Sequence, residues 1–117
     1  MSAIAKTPKP PYYAVIFTST LASTLALTGI DEDLGYGETA NRMVELAARQ
    51  PGFLGFESAR DASELSLGIT VSYWSGLESI KQWKANAEHL EAQRRGHELW
   101  YHSFKVRISK VERDYGI

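Results

Sequence analysis

Pro51-Gly-Phe-Leu-Gly-Phe-Glu-Ser-Ala-Arg60, followed nine positions on by Ile69-Thr-Val-Ser-Tyr-Trp74, is the stretch that decides the fold. Pro51 has no amide donor and Gly52 accepts left-handed backbone, so the pair stops a helix. Phe53 to Arg60 and Leu65 to Trp74 then read as two strands. The turn around Asp61-Ala-Ser63 leaves them close enough in sequence to pair antiparallel. In the second strand Leu67, Ile69, Val71 and Tyr73 share one face, and Gly68, Thr70, Ser72 and Trp74 share the other.

Upstream, Ala40, Met43, Val44 and Ala47 recur at i, i+3, i+4, i+7, which predicts an amphipathic helix from about Glu38 to Gln50. Before it lies a polar loop carrying Asp31-Glu-Asp33, and before that Tyr12 to Ser19, an aromatic and β-branched run that reads as a first strand. Residues 1–11 hold three of the four prolines and are expected to form an extended or disordered tail, leaving 12–117 as a single domain. Downstream, Ser75 and Glu78 have the S-x-x-E spacing of a capping box, and Gly96 suits a left-handed position past a helix end. Together they predict one helix over 76–95. From Leu99 to about Arg113, Trp100, His102, Phe104, Val106 and Ile108 alternate with Tyr101, Ser103, Lys105, Arg107 and Ser109, a strong strand signal.

The order β-α-β-β-α-β predicts an α+β, ferredoxin-like domain: a four-stranded antiparallel sheet with two helices on one face. The other face would carry aromatics and hydroxyls in the open, so two copies packed sheet to sheet, a homodimeric α+β barrel, is the expected assembly.

Composition narrows the function. A chain of 117 residues and 13.1 kDa has one core and no room for a separate cofactor domain. Thirteen basic and fourteen acidic residues give a net charge of -1. Arg94-Arg95 is the densest basic run, so nucleic acid and anionic membrane are poor partners. The absence of cysteine removes thiolate nucleophiles, iron–sulfur clusters and cysteine zinc sites. Residues 10–30 carry no charge, but six hydroxyl residues interrupt them and only Tyr12 to Phe17 is densely apolar. That is too short to span a bilayer, and a cytoplasmic protein is expected. The three histidines lack H-x-x-x-H spacing, and no Gly-rich phosphate loop or Rossmann fingerprint occurs, so neither a metal site nor a nucleotide site is predicted.

With this topology, the chain resembles the antibiotic-biosynthesis-monooxygenase-like family of dimeric α+β barrels over about residues 12–115. The resemblance rests on Tyr12-Tyr-Ala-Val-Ile-Phe17, Met43-Val-Glu-Leu-Ala47 running into Pro51-Gly-Phe-Leu-Gly-Phe56, and Gly68-Ile-Thr-Val-Ser-Tyr-Trp74. It continues through Trp83-Lys84, Glu88-His89, Gln93, Gly96 and Trp100-Tyr101 to Val111-Glu-Arg-Asp-Tyr115. It implies a small oxygenase, although the same fold also serves other chemistries. Trp83, nine positions after Trp74, matches the helix tryptophan that lines the pocket of heme-degrading relatives. Those relatives place an iron-ligating histidine nine or ten positions further on, where this chain has Ala92 and Gln93; His89 comes about one turn early. The first-strand asparagine of the relatives has no counterpart within Tyr12 to Ser19.

Three functions stay open on these residues. One is a monooxygenase acting on an aromatic or polyketide-like metabolite without a bound cofactor, with His89 as base and Trp83, Tyr73, Trp74, Tyr101 and Arg94 around the substrate. The second is heme binding or degradation. The third is a non-catalytic dimeric module for small hydrophobic molecules. Against each stands a plainer reading: on a continuous helix Ile80, Trp83, Ala87, Leu90 and Arg94 form one core stripe, with His89 about 120° away from Trp83. His102 shares parity with Phe104 and reads as a core or interface residue. His97 sits at the helix end.

Overall fold

A computed structural model of the chain describes residues 3–21, 36–61, 66–96 and 100–117. The acidic Asp31-Glu-Asp33 loop, most of the turn after Asp61, His97 and Leu99 lie outside the described residues. Four strands and three helices follow in the order β1 (Tyr12–Leu21), α1 (Tyr36–Ala48), β2 (Phe53–Arg60), β3 (Gly68–Trp74), α2 (Leu77–Ala85), α3 (Ala87–Arg95) and β4 (Tyr101–Val111). The strands form one antiparallel sheet in the order β2-β3-β1-β4, the ferredoxin-like α+β arrangement expected from the sequence.

Register fixes what faces the helices. Tyr13 pairs with Trp74 and Val15 with Ser72 on β3, while Val15 pairs with Ile108 and Phe17 with Val106 on β4, so these residues share one face. The helices bring Met43, Leu46, Ala47, Ile80 and Trp83 onto that face, and with Tyr13, Val15, Phe53 and Trp74 they make the core. Trp74 is 0% exposed; its ring meets Phe53 edge to face at 5.4 Å, and its indole N–H donates to Ser72 Oγ at 2.9 Å. On α1 the buried stripe is Met43, Leu46 and Ala47; Val44, expected among them, is exposed because the helix meets the sheet one row over.

Gly52 is required on two counts. Its φ of +86° is left-handed backbone that favours glycine, and a Cβ there would lie 2.0 Å from Ser79 Oγ. Its carbonyl accepts the Ser75 amide at 2.8 Å, joining the start of β2 to the end of β3.

The second helical stretch departs from expectation in three ways. Ser75 and Glu78 form no capping box: Gly76 is the N-cap, with no side-chain hydrogen bond. The single predicted helix is two, because Asn86 (φ −62°, ψ 129°) leaves helical geometry and starts a new helix, accepting the amides of Glu88 (3.0 Å) and His89 (3.2 Å) on Oδ1. Gly96 is right-handed (φ −59°, ψ −46°); it is needed because a Cβ would lie 2.7 Å from the Tyr101 ring. Beyond the break the expected stripe lapses, and Leu90 and Arg94 are exposed.

The alternation of β4 is also interrupted. The pairing shifts between Thr20/Ser103 and Leu21/Tyr101, which leaves His102 unpaired and exposed and turns Tyr101 to the face of Phe17 and Phe104. On the opposite face, Tyr73 donates to Glu57 (2.6 Å), whose other oxygen accepts the Ala5 amide (2.9 Å). Beside them Tyr12 accepts from Thr7 and donates to Asp114. Ala5, Thr7 and Asp114 are thereby tied to one corner of that face.

Candidate functional site

The break at Asn86 builds the site. A continuous helix would hold His89 well away from Trp83, but the new helix start turns it back over the indole. The two rings lie nearly parallel, 4.3 Å apart at 15°. Trp83 is in turn near-parallel to Trp74, with ring centroids 6.3 Å apart at 26°. His89 Nδ1 lies 2.9 Å from the Trp83 carbonyl, an oxygen that can only accept, so Nδ1 carries the proton and Nε2 keeps the basic lone pair. Burial pushes the imidazole below its ordinary 6.5; the carbonyl opposes this and the Lys84 charge adds to it. The ring is therefore neutral at pH 7 and held in one orientation.

The other sequence candidates are distributed. Trp74 sits beneath Trp83 as solid core. Tyr101 lies at the far end of the same sheet face, 5.3 Å from Phe17 and 6.0 Å from Phe104 by ring centroid. Tyr73 is on the opposite face, its ring 5.9 Å from Tyr12; burial, then the hydrogen bond to Glu57, pushes its hydroxyl up to about 12. Arg94 is exposed and pairs with Glu91 at 2.6 Å. The structure thus brings together Trp74, Trp83 and His89, and sets Tyr73, Tyr101 and Arg94 elsewhere.

Three residues escaped the sequence reading. Asn86 creates the break, and an asparagine followed by Glu88 is a helix-start pattern that could have marked it. Glu57 anchors the open face. Arg60 lies across Gly68, donating to Ser19 Oγ at 2.9 Å and to the Ser66 carbonyl; a Cβ on residue 68 would lie 2.4 Å from the guanidinium. Glycine opposite arginine in paired strands was the available signal.

Heme is the cofactor that the family resemblance raises, and the donor set does not fit it. Ala92, at a ligand position of the heme-degrading relatives, has no donor and lines a groove of 370 Å³ between α1 and α3 with Arg42, Glu88 and Arg95. Gln93 offers only an amide, and His89 comes about one turn before the position at which those relatives place their ligand. Among the described residues no group of three His, Cys, Asp or Glu side chains could hold a metal ion, and no helix is long and apolar enough to cross a membrane.

Fold and sequence together define the class. The pattern of the family described as antibiotic biosynthesis monooxygenase matches residues 33–95, over half of the chain, and the chain belongs to that family. It is similar to the uncharacterized protein YqjZ of Bacillus subtilis (strain 168), with 50% identity over 113 residues, 97% of this chain and 90% of the relative. Among solved structures, a mutant form of SnoaB, a cofactor-independent oxygenase from Streptomyces nogalater, superposes with a TM-score of 0.69 at 13% identity, covering 88% of this chain and 95% of that one. PA3566 from Pseudomonas aeruginosa gives 0.68 at 17% identity over 92% and 99%. At such identities the likeness concerns the fold.

Proposed function

We propose that the protein is a cytoplasmic, homodimeric monooxygenase that acts on a phenolic or anthrone-like aromatic metabolite without a bound cofactor, with His89 as the base. The observation that carries this reading is the imidazole stacked on Trp83 with Nδ1 at the Trp83 carbonyl, an arrangement that leaves Nε2 to accept a proton from substrate. Trp83 serves as the positioning residue beneath it. Family membership and the likeness to a cofactor-independent oxygenase support the reaction class.

The chemistry balances with dioxygen as the only co-reactant. His89 removes a proton, and the electron-rich anion gives one electron to dioxygen. The radical pair then joins into a carbon-bound peroxide, which the imidazolium protonates. Loss of water leaves a new carbonyl, so one oxygen atom enters the product and the other leaves as water. Buried surroundings favour this by excluding competing proton donors.

The test is oxygen uptake with a panel of phenols and anthrones. His89→Ala should lower kcat by roughly 10²–10⁴-fold, the usual cost of a lost general base. Trp83→Phe, which keeps an aromatic ring beneath the imidazole, should cost far less. Full activity in His89→Ala on a substrate the parent consumes would overturn the mechanism. A second reading, a dimeric module that binds small hydrophobic molecules without turnover, is favoured by one observation: neither of the two described grooves is lined by Trp83 or His89. It stands if no member of the panel supports oxygen uptake. Light scattering tests the dimer, which requires a mass near twice 13.1 kDa.

A further inference from the structure

Among the described residues, no helix covers the sheet face at β4 as α2 covers it at Trp74. There Leu77, Ile80 and Ala85 of α2 face Ile108 across a groove of 370 Å³, with Lys81 and Lys84 completing its wall. No carboxylate is among the described lining residues. Its volume falls within the roughly 300–1,000 Å³ of small-molecule sites.

Two further features extend it. Phe104 and Val106 precede Ile108 on the same face of β4, and each of the three is exposed by 44–45%. Alternate residues on a strand repeat every 6–7 Å, so this stripe runs for about 13 Å along β4, the edge of the sheet formed by the described strands. Next on the same row comes Lys110, paired with Tyr13. The surface is therefore a strip of apolar side chains bordered by ammonium groups.

We infer that this groove binds an amphiphilic anion, a medium-chain carboxylate or its equivalent, with the chain along Ile108, Val106 and Phe104 and the head group at Lys81 and Lys84. Charge complementarity selects the occupant. An apolar chain alone would leave the ammonium groups unused, and a cationic amphiphile would be repelled by both. Lysine stems packing over exposed apolar residues account for part of the geometry. They do not account for a row of three large, half-exposed side chains that continues past the lysines.

The experiment is calorimetric titration of the full chain with decanoate, with decyltrimethylammonium and decanol as matched controls, all below micelle formation. Decanoate should bind saturably at one site per chain, and decyltrimethylammonium should not. The exposed double variant Lys81→Ala/Lys84→Ala should keep the parent's melting temperature and bind decanoate about fivefold more weakly, the scale of exposed ion pairs. Ile108→Asp should abolish binding. Equal binding of the anionic and cationic amphiphiles, or an unchanged affinity in the lysine variant, would overturn the proposal. So would the absence of saturable binding, including the case in which a second copy of the chain occupies the groove.

Discussion

Trp74 and Ile108 lie on the same face of the same sheet, two strands apart, yet one is fully buried and the other is 44% exposed. Both belong to clean alternating patterns, and both flank β1 residues that point at the helices. The difference is what lies above them. Over Trp74 sit Trp83 and Phe53, aromatic side chains that fill the space completely. Over Ile108 sit Ala85, the stems of two lysines and a groove. The closed end holds the fold together and backs the imidazole, while the open end keeps its apolar side chains half in water.

Substitution should break this comparison at its strong end first. Trp74→Ala is expected to cost about 3–5 kcal/mol, because it removes a fully buried ring from a close-packed stack. Ile108→Ala should cost well under half of that, since much of its area already meets water. Urea unfolding of both variants checks the contrast, and similar losses would mean that the groove is filled in the folded protein.

A smaller effect is expected at the helix break. Asn86→Ala removes the acceptor for two amides and should cost about 1 kcal/mol of stability. A merely structural cap would do no more. If the break also orients the base, this variant should lose activity as well, with the pH profile shifting toward an ordinary histidine.

What the sequence conveyed and what it withheld follow the same physics. Strand identity and order were legible because Tyr12 to Phe17 is dense in aromatic and β-branched residues, Ile69-Val71-Tyr73 and Phe104-Val106-Ile108 place them at period two, and Phe53 to Arg60 follows a helix stop and lies one turn from the next strand. Pro51-Gly52 was legible because its backbone chemistry has few alternatives. The break at Asn86 was only weakly marked: Asn86 ahead of Glu88 is a helix-start pattern, but nothing in Lys84-Ala-Asn-Ala-Glu88 forbids a continuous helix. The turn of Tyr101 onto the face of Phe104 depends on a pairing shift with β1, a long-range event that local alternation cannot signal. His89 was legible as a candidate, but its partner was not, because a straight helix places Trp83 on another side.

The opposite face offers a subtler contrast, a tyrosine whose hydroxyl is tied to a carboxylate, where the indole of Trp74 donates to a neutral hydroxyl. Tyr73 has its pKa raised to about 12 in the folded chain against an ordinary 10. A raised value means that its contribution is fully present below pH 10 and is lost as pH climbs toward 12. Tyr73→Phe should therefore flatten the alkaline fall in stability over that window, with little change near neutrality beyond the lost hydrogen bond. Denaturation series at about pH 8, 10 and 11 would show it.

The central claim is that the break at Asn86 produces a neutral, oriented imidazole. NMR titration of the His89 ring measures this directly. Burial lowers the folded-state pKa, so the stability that His89 contributes is present above 6.5 and is lost as pH falls through the lower folded value. The account predicts a His89 pKa below 6.5, the proton on Nδ1 at neutral pH, and ring resonances shifted by the Trp83 indole, with the pKa returning toward 6.5 in Asn86→Ala. Titration at or above 6.5, with unshifted ring resonances in the parent protein, would contradict it.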